Sequence, residues 1–386
     1  MPVAEEPCQA CVFPRPGGQK NLLRLILYYH IVERKLGEAG ALEMSGPEIS
    51  GKLQLLIIGG GAIGCSLAGR LAAQGREVRL VVRDPAQAAL INEQGLAVTG
   101  RLGEKQVAVP TLAGLEALEG PVDFALITTK AYDLPNAAQR LLPWLHGQSL
   151  VCALQNGVCG QTLAEIVGQA RAVDTVVTWG ATRQGPGEVE ITAGGELLLG
   201  MAAGPAPPRL EQLRQLLEAA FPTRIMPDLF SHKLSKLLVN CCMTAIGALS
   251  GEKLGRSLRR REARAVFLRI IREGLAVAQA LGVPVAPFGG RVDYYRLLQR
   301  PKWQQQLLVR LVGWKFRDLT SSSLQSLRRG QPTEVDYLNG WIVAQGQALG
   351  VPTPINSRIV AMVHELEQGQ RQSCPGNLRE LNQYPG

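Results

Sequence analysis

The sequence predicts an α/β protein in which an N-terminal parallel sheet covered by helices is followed by a mainly α-helical C-terminal domain. From residue 52 to about residue 227, short apolar runs alternate with helix-like segments, which is the pattern of parallel α/β domains. Past Phe230 the apolar residues recur at helical spacing instead. The first such stripe consists of Leu234, Leu237, Leu238 and Cys241. These two patterns predict two domains of different architecture.

A glycine motif organises the first of these domains. The run from Leu55 to Ile58 is apolar and bounded by glycine, as expected for a strand buried on both faces of a parallel sheet. Gly59, Gly61 and Gly64 then form G-x-G-x-x-G, and helical spacing continues until Gly75. Between a strand and a helix, this motif is typical of a Rossmann-type dinucleotide-binding domain. The alternative, a glycine-rich turn without a ligand, fits this placement less well.

The three glycines are needed for different physical reasons. Gly59 makes the tight turn, and Gly61 lets a pyrophosphate approach the backbone. Gly64 lets the helix pack closely on the strand. The free N–H groups at the helix start would then face the phosphates.

The residue that ends the second predicted strand indicates which dinucleotide binds. An acidic residue there holds the ribose 2′-hydroxyl of NAD, whereas a nearby arginine accommodates the 2′-phosphate of NADP. The strand ends in Arg83, so we expect NADPH. Two roles stay open for Asp84: it caps the next helix, with Pro85 as the first helical residue, or it binds the ribose of NAD.

Composition and charge bound the class of protein. The chain has 386 residues, of which 46% are hydrophobic and 19% charged, as in a soluble globular protein with two sizeable cores. The formal net charge is +9. The basic residues are densest at Arg256, Arg259, Arg260, Arg261 and Arg264. No zinc finger or other nucleic-acid motif accompanies them, so we interpret them as a solvated helix face and expect no nucleic-acid partner.

The cysteines and the N-terminal segment indicate a cytoplasmic protein. Four cysteines lie in apolar surroundings, as free thiols do in a reducing compartment: Cys65, Cys152, Cys241 and Cys242. Cys8 and Cys11 form a lone C-x-x-C without a second pair or a nearby histidine, so we expect no metal. The apolar patch from Leu22 to Val32 is too short for a membrane span, and the acidic start does not suit a secretory signal. Met44 is a candidate true start.

The chain is expected to divide into four segments. These are an N-terminal extension of poor order at 1–51, a Rossmann NADP-binding domain at 52–228, a helical substrate domain at 229–372 and a disordered tail at 373–386. Within the first domain, the strand-like runs from Glu188 to Ile191 and from Glu196 to Leu199 are predicted to form a hairpin.

Polar residues follow two neighbouring strands of the predicted sheet. The run from Val122 to Thr128 leads into Lys130, and the run from Leu150 to Leu154 leads into Asn156. Open α/β sheets bind their ligands at the carboxyl ends of the strands, so we expect these polar residues to have a function. The alternative for Asn156 and Gly157 is a simple turn.

Together these motifs resemble the ketopantoate reductase (2-dehydropantoate 2-reductase) family, NADPH-dependent enzymes of pantothenate biosynthesis. The resemblance covers about residues 52–370 and depends on several motifs in a fixed order. They are IIGGGAIG, Arg83 at a strand end, TTKAYD at 128–133, LQNG at 154–157, KLLVN at 236–240, SSLQ at 322–325 and PTEVDYLNG at 332–340. The resemblance implies an oxidoreductase that reduces 2-dehydropantoate, a small 2-oxo acid, to pantoate. It leaves a homodimer open.

Carried over position by position, the resemblance implies a set of site residues. The cofactor-binding residues would be Gly59, Gly60, Gly61, Ala62, Ile63, Gly64, Arg83, Lys130, Asn156, Ala181 and Glu334. The catalytic residues would be Lys236 and Glu334, and the substrate-binding residues would be Lys236, Asn240, Thr244 and Ser322. In this set Arg83 and Lys130 would lie near the 2′-phosphate, and Asn156 and Ala181 near the nicotinamide.

One departure from the family pattern concerns the substrate. The family often has a second asparagine four residues after Asn240, where this sequence has Thr244. A threonine hydroxyl is shorter than an amide and offers fewer hydrogen-bonding groups. Reduction of another branched 2-oxo acid therefore stays open beside 2-dehydropantoate.

The expected chemistry also suits these residue types. Hydride transfer to a ketone puts negative charge on the carbonyl oxygen, which a lysine ammonium can stabilise and protonate. Lys236 is the candidate, and an exposed helix lysine is the alternative interpretation. For Glu334 the alternative is an acid in the first turn of a helix, preceded by Thr333. A non-catalytic NADP-binding sensor is a third possible function, against which the presence of both residues argues.

Overall fold

The computed structural model describes residues 53–290 and 292–385. In the first domain, strands and helices alternate as the apolar pattern predicts. The strands are β1 (Leu55–Ile58), β2 (Arg79–Val81), β3 (Leu96–Gly100), β4 (Lys105–Val107), β5 (Thr111–Leu112), β6 (Val122–Ile127), β7 (Leu145–Ala153), β8 (Ala172–Val177), β9 (Gly180–Gly185), β10 (Glu188–Ala193), β11 (Leu197–Met201) and β12 (Thr223–Ile225). The helices are α1 (Ala62–Ala73), α2 (Pro85–Gln94), α3 (Leu134–Leu141), α4 (Gly160–Val167) and α5 (Pro208–Glu218).

The order of strands in the central sheet fixes where a ligand can bind. Eight strands lie in the order β12-β11-β8-β7-β6-β1-β2-β5. From β5 to β8 the pairs are parallel and follow the order of the Rossmann fold, so the predicted fold is confirmed. The order reverses between β1 and β6, and ligands bind outside the carboxyl ends of the strands at such a reversal.

The strands form because their residues can be buried on both faces of the sheet. Every residue of β1, β6 and β8 is buried, and these strands consist almost entirely of apolar residues. Burying one Leu, Ile or Val side chain contributes about 1.5–3 kcal/mol. Asp123 in β6 and Asp174 in β8 are exceptions, because each places a carboxylate inside a mostly apolar strand.

A second sheet corrects the predicted hairpin. Its order is β4-β3-β10-β9, with β10 antiparallel to β9 and parallel to β3. β11 lies in the central sheet beside β8, so the predicted pairing of Glu188–Ile191 with Glu196–Leu199 is wrong. The nearer strand β9 pairs with β10 instead, through a turn in which Gly187 has a φ of +75°. Gly195 then carries the chain past Thr178 and Trp179, whose backbone leaves no room for a Cβ.

The second domain consists of helices packed around a long central one. They are α6 (Leu229–Ser250), α7 (Leu254–Ser257), α8 (Arg261–Ala280), α9 (Tyr294–Gln299), α10 (Lys302–Lys315), α11 (Ser322–Arg328), α12 (Asn339–Leu349), α13 (Pro354–Glu367) and α14 (Pro375–Gln383), with a 3₁₀ turn at Val335–Tyr337. The predicted stripe on α6, from Leu234 to Cys241, is buried in the core of this domain, so that prediction is confirmed.

The C-terminal segment is ordered, so the prediction of a disordered tail at 373–386 is wrong. Pro375 begins α14 at a position where proline is favoured, and Leu378 and Leu381 enter the helical core. The Asn377 side-chain amide donates to the carbonyl of Leu249 near the end of α6, over 2.9 Å. The sequence of this segment is rich in proline and glycine, which is typical of disorder. The short apolar repeat that packs the segment against the helical core is therefore easily overlooked.

Three further sequence predictions concern the N-terminal extension, the cysteines and the absence of a membrane span. The extension at 1–51 lies outside the described residues. The four cysteines predicted in apolar surroundings are buried and have free thiols. Within the described part of the chain, the helices are too short or too polar to cross a membrane.

Replacing a core residue of α14 tests whether the tail contributes to stability. Leu378 is fully buried, so we expect Leu378→Ala to lower the free energy of unfolding by about 2–5 kcal/mol. The neighbouring residue Arg379 is exposed and provides the control. Arg379→Ala should change the free energy of unfolding by less than about 0.5 kcal/mol. Equal values for the two variants in urea denaturation would show that α14 does not dock.

Candidate active site

The glycine loop between β1 and α1 has the geometry that dinucleotide binding requires. Gly59 has a φ of +123°, and its N–H donates to the carbonyl of Val81 at the end of β2. A Cβ on Gly64 would lie 1.9 Å from the Gly59 carbonyl oxygen, so only glycine allows this close packing. A Cβ on Gly61 would meet no atom within 4 Å, which leaves this side of the loop accessible to a ligand.

The start of α1 is suited to hold an anion. Gly61 is the N-cap, no side chain caps the helix, and its first turn contains no acidic residue. The backbone N–H groups of this turn, which includes Ala62 and Ile63, and the positive end of the helix dipole are therefore available to a phosphate.

Neighbouring side chains fix the loop in place. The Thr128 hydroxyl at the end of β6 bonds the carbonyls of Ile58 and Gly59, each over 3.0 Å. The Gln87 amide on α2 donates to the carbonyl of Gly60 over 3.0 Å. Next to the loop, Thr129 Oγ1 and Gln155 Oε1 are buried without a hydrogen-bond partner among the described residues. Buried polar atoms are normally satisfied, so these two are positions that a bound ligand or water can complete.

At the end of β2, the structure shows one of the two roles left open for Asp84, the capping of the next helix. Its carboxylate accepts a hydrogen bond from the Ala86 N–H over 2.9 Å and so caps α2, with Pro85 at the first helical position. Arg83 is exposed beside it, and its charge acts on the phenol of Tyr132, in the turn that follows β6. The arginine thus lies at the ligand edge of the sheet while the aspartate is engaged in capping.

Glu334 connects the helical domain to the ligand edge of the sheet. Its carboxylate lies 3.2 Å from the Lys130 ammonium and accepts a hydrogen bond from the Ala131 N–H over 3.2 Å. Glu334 is buried, whereas the Lys130 side chain is 41% exposed. Glu334 precedes the 3₁₀ turn without capping it, so its contacts favour a role in the site over the alternative of a helix-start acid.

Lys236 has a perturbed pKa. It lies on α6, partly exposed, and burial together with the charge of Lys233 lowers the pKa of its ammonium to about 7, against the opposing effect of Glu334. A lysine that titrates near neutral pH can both hold and release a proton under physiological conditions. An ordinary exposed helix lysine does not have this property.

The predicted substrate residues follow Lys236 along the same helix. The Asn240 amide donates to the side-chain oxygen of Asn156, which follows β7, over 3.2 Å. The Thr244 hydroxyl donates to the Asn240 carbonyl over 2.7 Å, within the helix. The Ser321 hydroxyl, which also caps α11, bonds the carbonyl of Thr244 and so brings the adjacent Ser322 to this end of the site.

The Asn-Gly pair after β7 forms the turn that one interpretation predicts, and it also contacts the helical domain. Gly157 has a φ of +84°, as a turn requires, and a Cβ there would lie 2.4 Å from the carbonyl oxygen of Tyr337 in the helical domain. This close contact lets the preceding Asn156 reach Asn240.

Four of the predicted residues contact one another across the boundary between the domains. Direct hydrogen bonds connect Lys130 with Glu334 and Asn156 with Asn240. Ala181 lies apart, on β9 in the second sheet, two residues after Trp179, whose indole N–H donates to Ser66 on α1.

Two charged residues of this region were missed by the sequence interpretation. Lys233 does not belong to the apolar stripe of α6, yet it is only 3% exposed and forms an ion pair with Asp174 on β8. The available signal was Asp174 itself, because a carboxylate in the middle of a buried strand requires a partner.

Comparisons with known proteins agree with this geometry. The family model described as "Ketopantoate reductase PanE/ApbA" matches residues 55–204, and the model of the C-terminal part of the same family matches residues 228–367. A crystal structure of a PanE/ApbA family ketopantoate reductase from Ralstonia eutropha JMP134 is 30% identical, with a TM-score of 0.71, and the match covers 83% of this chain and 100% of that one.

The chain belongs to the ketopantoate reductase family. The resemblance noted in the sequence is thus confirmed, and the chain is an oxidoreductase of this family. A 2-dehydropantoate 2-reductase of Aquifex aeolicus (strain VF5) is 28% identical over 320 residues, which are 82% of this chain and 97% of that protein. D-mandelate dehydrogenase, solved with NADH and anilino(oxo)acetate, shares the fold with a TM-score of 0.70 at 21% identity, covering 82% and 99% of the two chains.

The two glycines of the loop give a paired test of the dinucleotide site in this family member. In Gly61→Ala the new methyl group meets open space, so we expect the free energy of unfolding to change by less than about 0.5 kcal/mol while dinucleotide affinity falls about tenfold or more. In Gly64→Ala the methyl group meets the Gly59 carbonyl, so stability itself should fall by about 1–3 kcal/mol. Thermal denaturation and dinucleotide titration separate the two effects. Unchanged affinity in Gly61→Ala would place the ligand elsewhere.

Proposed function

We propose that this chain reduces 2-dehydropantoate to pantoate with NADPH, as a step in pantothenate biosynthesis. The observation that carries the proposal is the perturbed ammonium of Lys236, which lies with Glu334 and Asn240 at the ligand edge of a Rossmann sheet. Family membership adds the substrate class, because the curated relatives are named 2-dehydropantoate 2-reductases.

The residues present suit NADPH. The open side of Gly61 and the uncapped start of α1 can receive the pyrophosphate, and Arg83 and Lys130 can receive the 2′-phosphate. When bound, NADPH supplies the hydride that reduces the ketone. Asp84 is engaged in capping α2 through Oδ1.

Lys236 is the proposed acid of the reaction. Its ammonium stabilises the negative charge that develops on the ketone oxygen, and the proton on Nζ passes to that oxygen to complete the hydroxyl group. Glu334 favours the protonated form of Lys236. Asn240 and Ser322 bind the carboxylate of the substrate, and Thr244 binds its hydroxyl group.

The domain arrangement excludes water from part of this site. Glu334 is buried against the turn after β6, and Asn156 is bonded to Asn240 across the same boundary. Low exposure strengthens the electrostatic effect of the remaining charges on the reacting oxygen.

A second candidate substrate is another branched 2-oxo acid, which stays open because Thr244 replaces the second asparagine that the family often has at this position. The threonine hydroxyl proton is donated to the Asn240 carbonyl, so this position offers an acceptor and no free donor. Parallel assays with 2-oxo acids that have and lack a hydroxyl group distinguish the two substrates.

The remaining expectations stay predictions. A cytoplasmic location and a homodimer both fit a small-molecule enzyme of this kind. Light scattering of the purified full chain measures the oligomeric state directly.

The reaction itself is tested by following NADPH oxidation with 2-dehydropantoate. We expect Lys236→Ala to lower kcat by about 10²–10⁴-fold, the usual effect of losing a positioned acid. In the wild type, kcat should fall as pH rises through about 7, because the acid must be protonated and its pKa is lowered to about 7. Lys302→Ala, an exposed lysine at the start of α10, is the matched control and should leave kcat unchanged. A wild type that binds NADPH without oxidising it would contradict the proposed substrate.

Cofactor choice is tested at Arg83. We expect Arg83→Ala to weaken NADPH binding by about ten- to a hundredfold, since a charge-assisted hydrogen bond contributes about 1.5–3 kcal/mol. Binding of NADH should change little, because NADH has no 2′-phosphate. Arg76→Ala, at an exposed arginine before β2, is the control. An equal loss of affinity for both dinucleotides would show that Arg83 does not bind the 2′-phosphate.

A further inference from the structure

A buried ion pair joins α6 to β8 one turn before Lys236. The Lys233 ammonium donates to Asp174 Oδ1 over 2.6 Å and to the Thr175 carbonyl over 2.7 Å. Lys233 is 3% exposed and Asp174 is 6% exposed. The pair therefore connects the helical domain to the Rossmann sheet in a region that solvent barely reaches.

The surrounding backbone is shaped around this carboxylate. Asp174 Oδ1 also accepts a hydrogen bond from the Thr175 N–H over 2.9 Å. A Cβ on Gly160, the first residue of α4, would lie 2.7 Å from the Asp174 carboxylate, so any larger residue there would displace it. The carboxylate is held by several contacts and has little freedom to reorient.

Stability alone does not account for such a pair. Removing two charges from water is costly, and apolar residues of similar volume often serve packing equally well or better. Lys233 lies three residues before Lys236, so the two side chains share one face of α6. This proximity suggests that the pair acts on Lys236.

We propose that Lys233, fixed by Asp174, is a positioning residue for Lys236: it holds the first turns of α6 against β8 and keeps a second positive charge beside the Lys236 ammonium. The proposal rests on the proposed role of Lys236 as the acid of the reaction. It extends that role, because a side chain outside the reacting centre then sets the pH at which the acid is protonated.

The charged groups around Lys236 give the direction of the effect. Burial lowers its pKa first, the charge of Lys233 lowers it further, and Glu334 opposes both. From the neighbouring elements, Asp174 on β8 and Cys159 before α4 face Lys233. Lys130, which follows β6, faces Glu334. Removing the Lys233 charge should therefore raise the pKa of Lys236.

The test is the pH dependence of kcat in the double variant Lys233→Met/Asp174→Asn. Changing both residues avoids leaving one buried charge unpaired. At saturating NADPH, we expect the fall of kcat near pH 7 to shift to a pH about one unit higher. This part of the pH profile is called the falling limb. Lys233→Arg keeps the positive charge, and its limb should stay near that of the wild type. Should the double variant fail to fold, Lys233→Gln is measured in the same way.

A second ion pair provides the matched control. Arg209 and Asp123 are paired on the first domain, where Asp123 lies at the start of β6, at the edge of the sheet opposite the site. Their side chains are 11% and 13% exposed. Arg209→Met/Asp123→Asn should lower thermal stability without moving the limb. An unmoved limb in the Lys233 variants, or an equal movement in this control, would overturn the proposal.

A direct measurement separates this inference from the proposed reaction. The rate at which an amine-reactive reagent labels Lys236 at each pH, read by peptide mass, reports its pKa without catalysis. If the wild type does not reduce 2-dehydropantoate, the proposed function fails, yet an upward shift in the labelling profile of the double variant still supports the role of Lys233. If the enzyme is active and the labelling profile is unchanged, the inference alone fails.

Discussion

The ammonium group of Lys236 lies where the two domains meet, and its charge depends on both of them. Burial favours the neutral amine, and the charge of Lys233 acts in the same direction. Glu334 favours the ammonium, and it is held there by Lys130 and the Ala131 N–H of the Rossmann domain. These opposing effects bring the pKa near neutral pH, where the group can gain or lose a proton. Each domain alone would supply only part of this balance.

The strand order explains why the first domain can contribute in this way. The reversal between β1 and β6 leaves an open crevice at the carboxyl ends of the strands. The glycine loop follows β1, and the residues that hold Glu334 follow β6. The second domain supplies α6, whose 22 residues present Lys236, Asn240 and Thr244 one turn apart. A packed helix holds such groups more firmly than a loop, which favours reproducible placement of a reacting ketone.

Local patterns in the sequence predict much of this arrangement. The glycine loop could be predicted because its spacing reflects close backbone contacts, such as that between Gly64 and Gly59. The stripe on α6 could be predicted because core residues repeat every helical turn. The proposed site residues on α6 and at Glu334 required the family resemblance, because a single lysine or glutamate on a helix has no local signature.

Long-range contacts account for what the sequence did not predict. β10 and β11 are neighbours in the chain but belong to different sheets, because β10 pairs with β3 and β11 pairs with β8. The docking of α14 depends on Asn377 meeting the end of α6, more than a hundred residues earlier. Lys233 and Asp174 are 59 residues apart, so neither segment alone identifies the partner of the other residue.

The hydrogen bond within α6 at Thr244 bears on which substrate the proposed site can hold. Since the hydroxyl proton is donated to the Asn240 carbonyl, Thr244 has no proton left for a carboxylate. The donors toward an anionic substrate are then Lys236, the Asn240 amide and Ser322. The Thr244 oxygen keeps a lone pair, which can accept a hydrogen bond from a substrate hydroxyl. A 2-oxo acid that carries a hydroxyl group, as 2-dehydropantoate does, uses this acceptor. An acid that lacks the hydroxyl leaves it unpaired in a poorly hydrated site, at a cost of about 1–3 kcal/mol. The replacement of an amide by threonine at this position is therefore compatible with selection for a hydroxylated substrate.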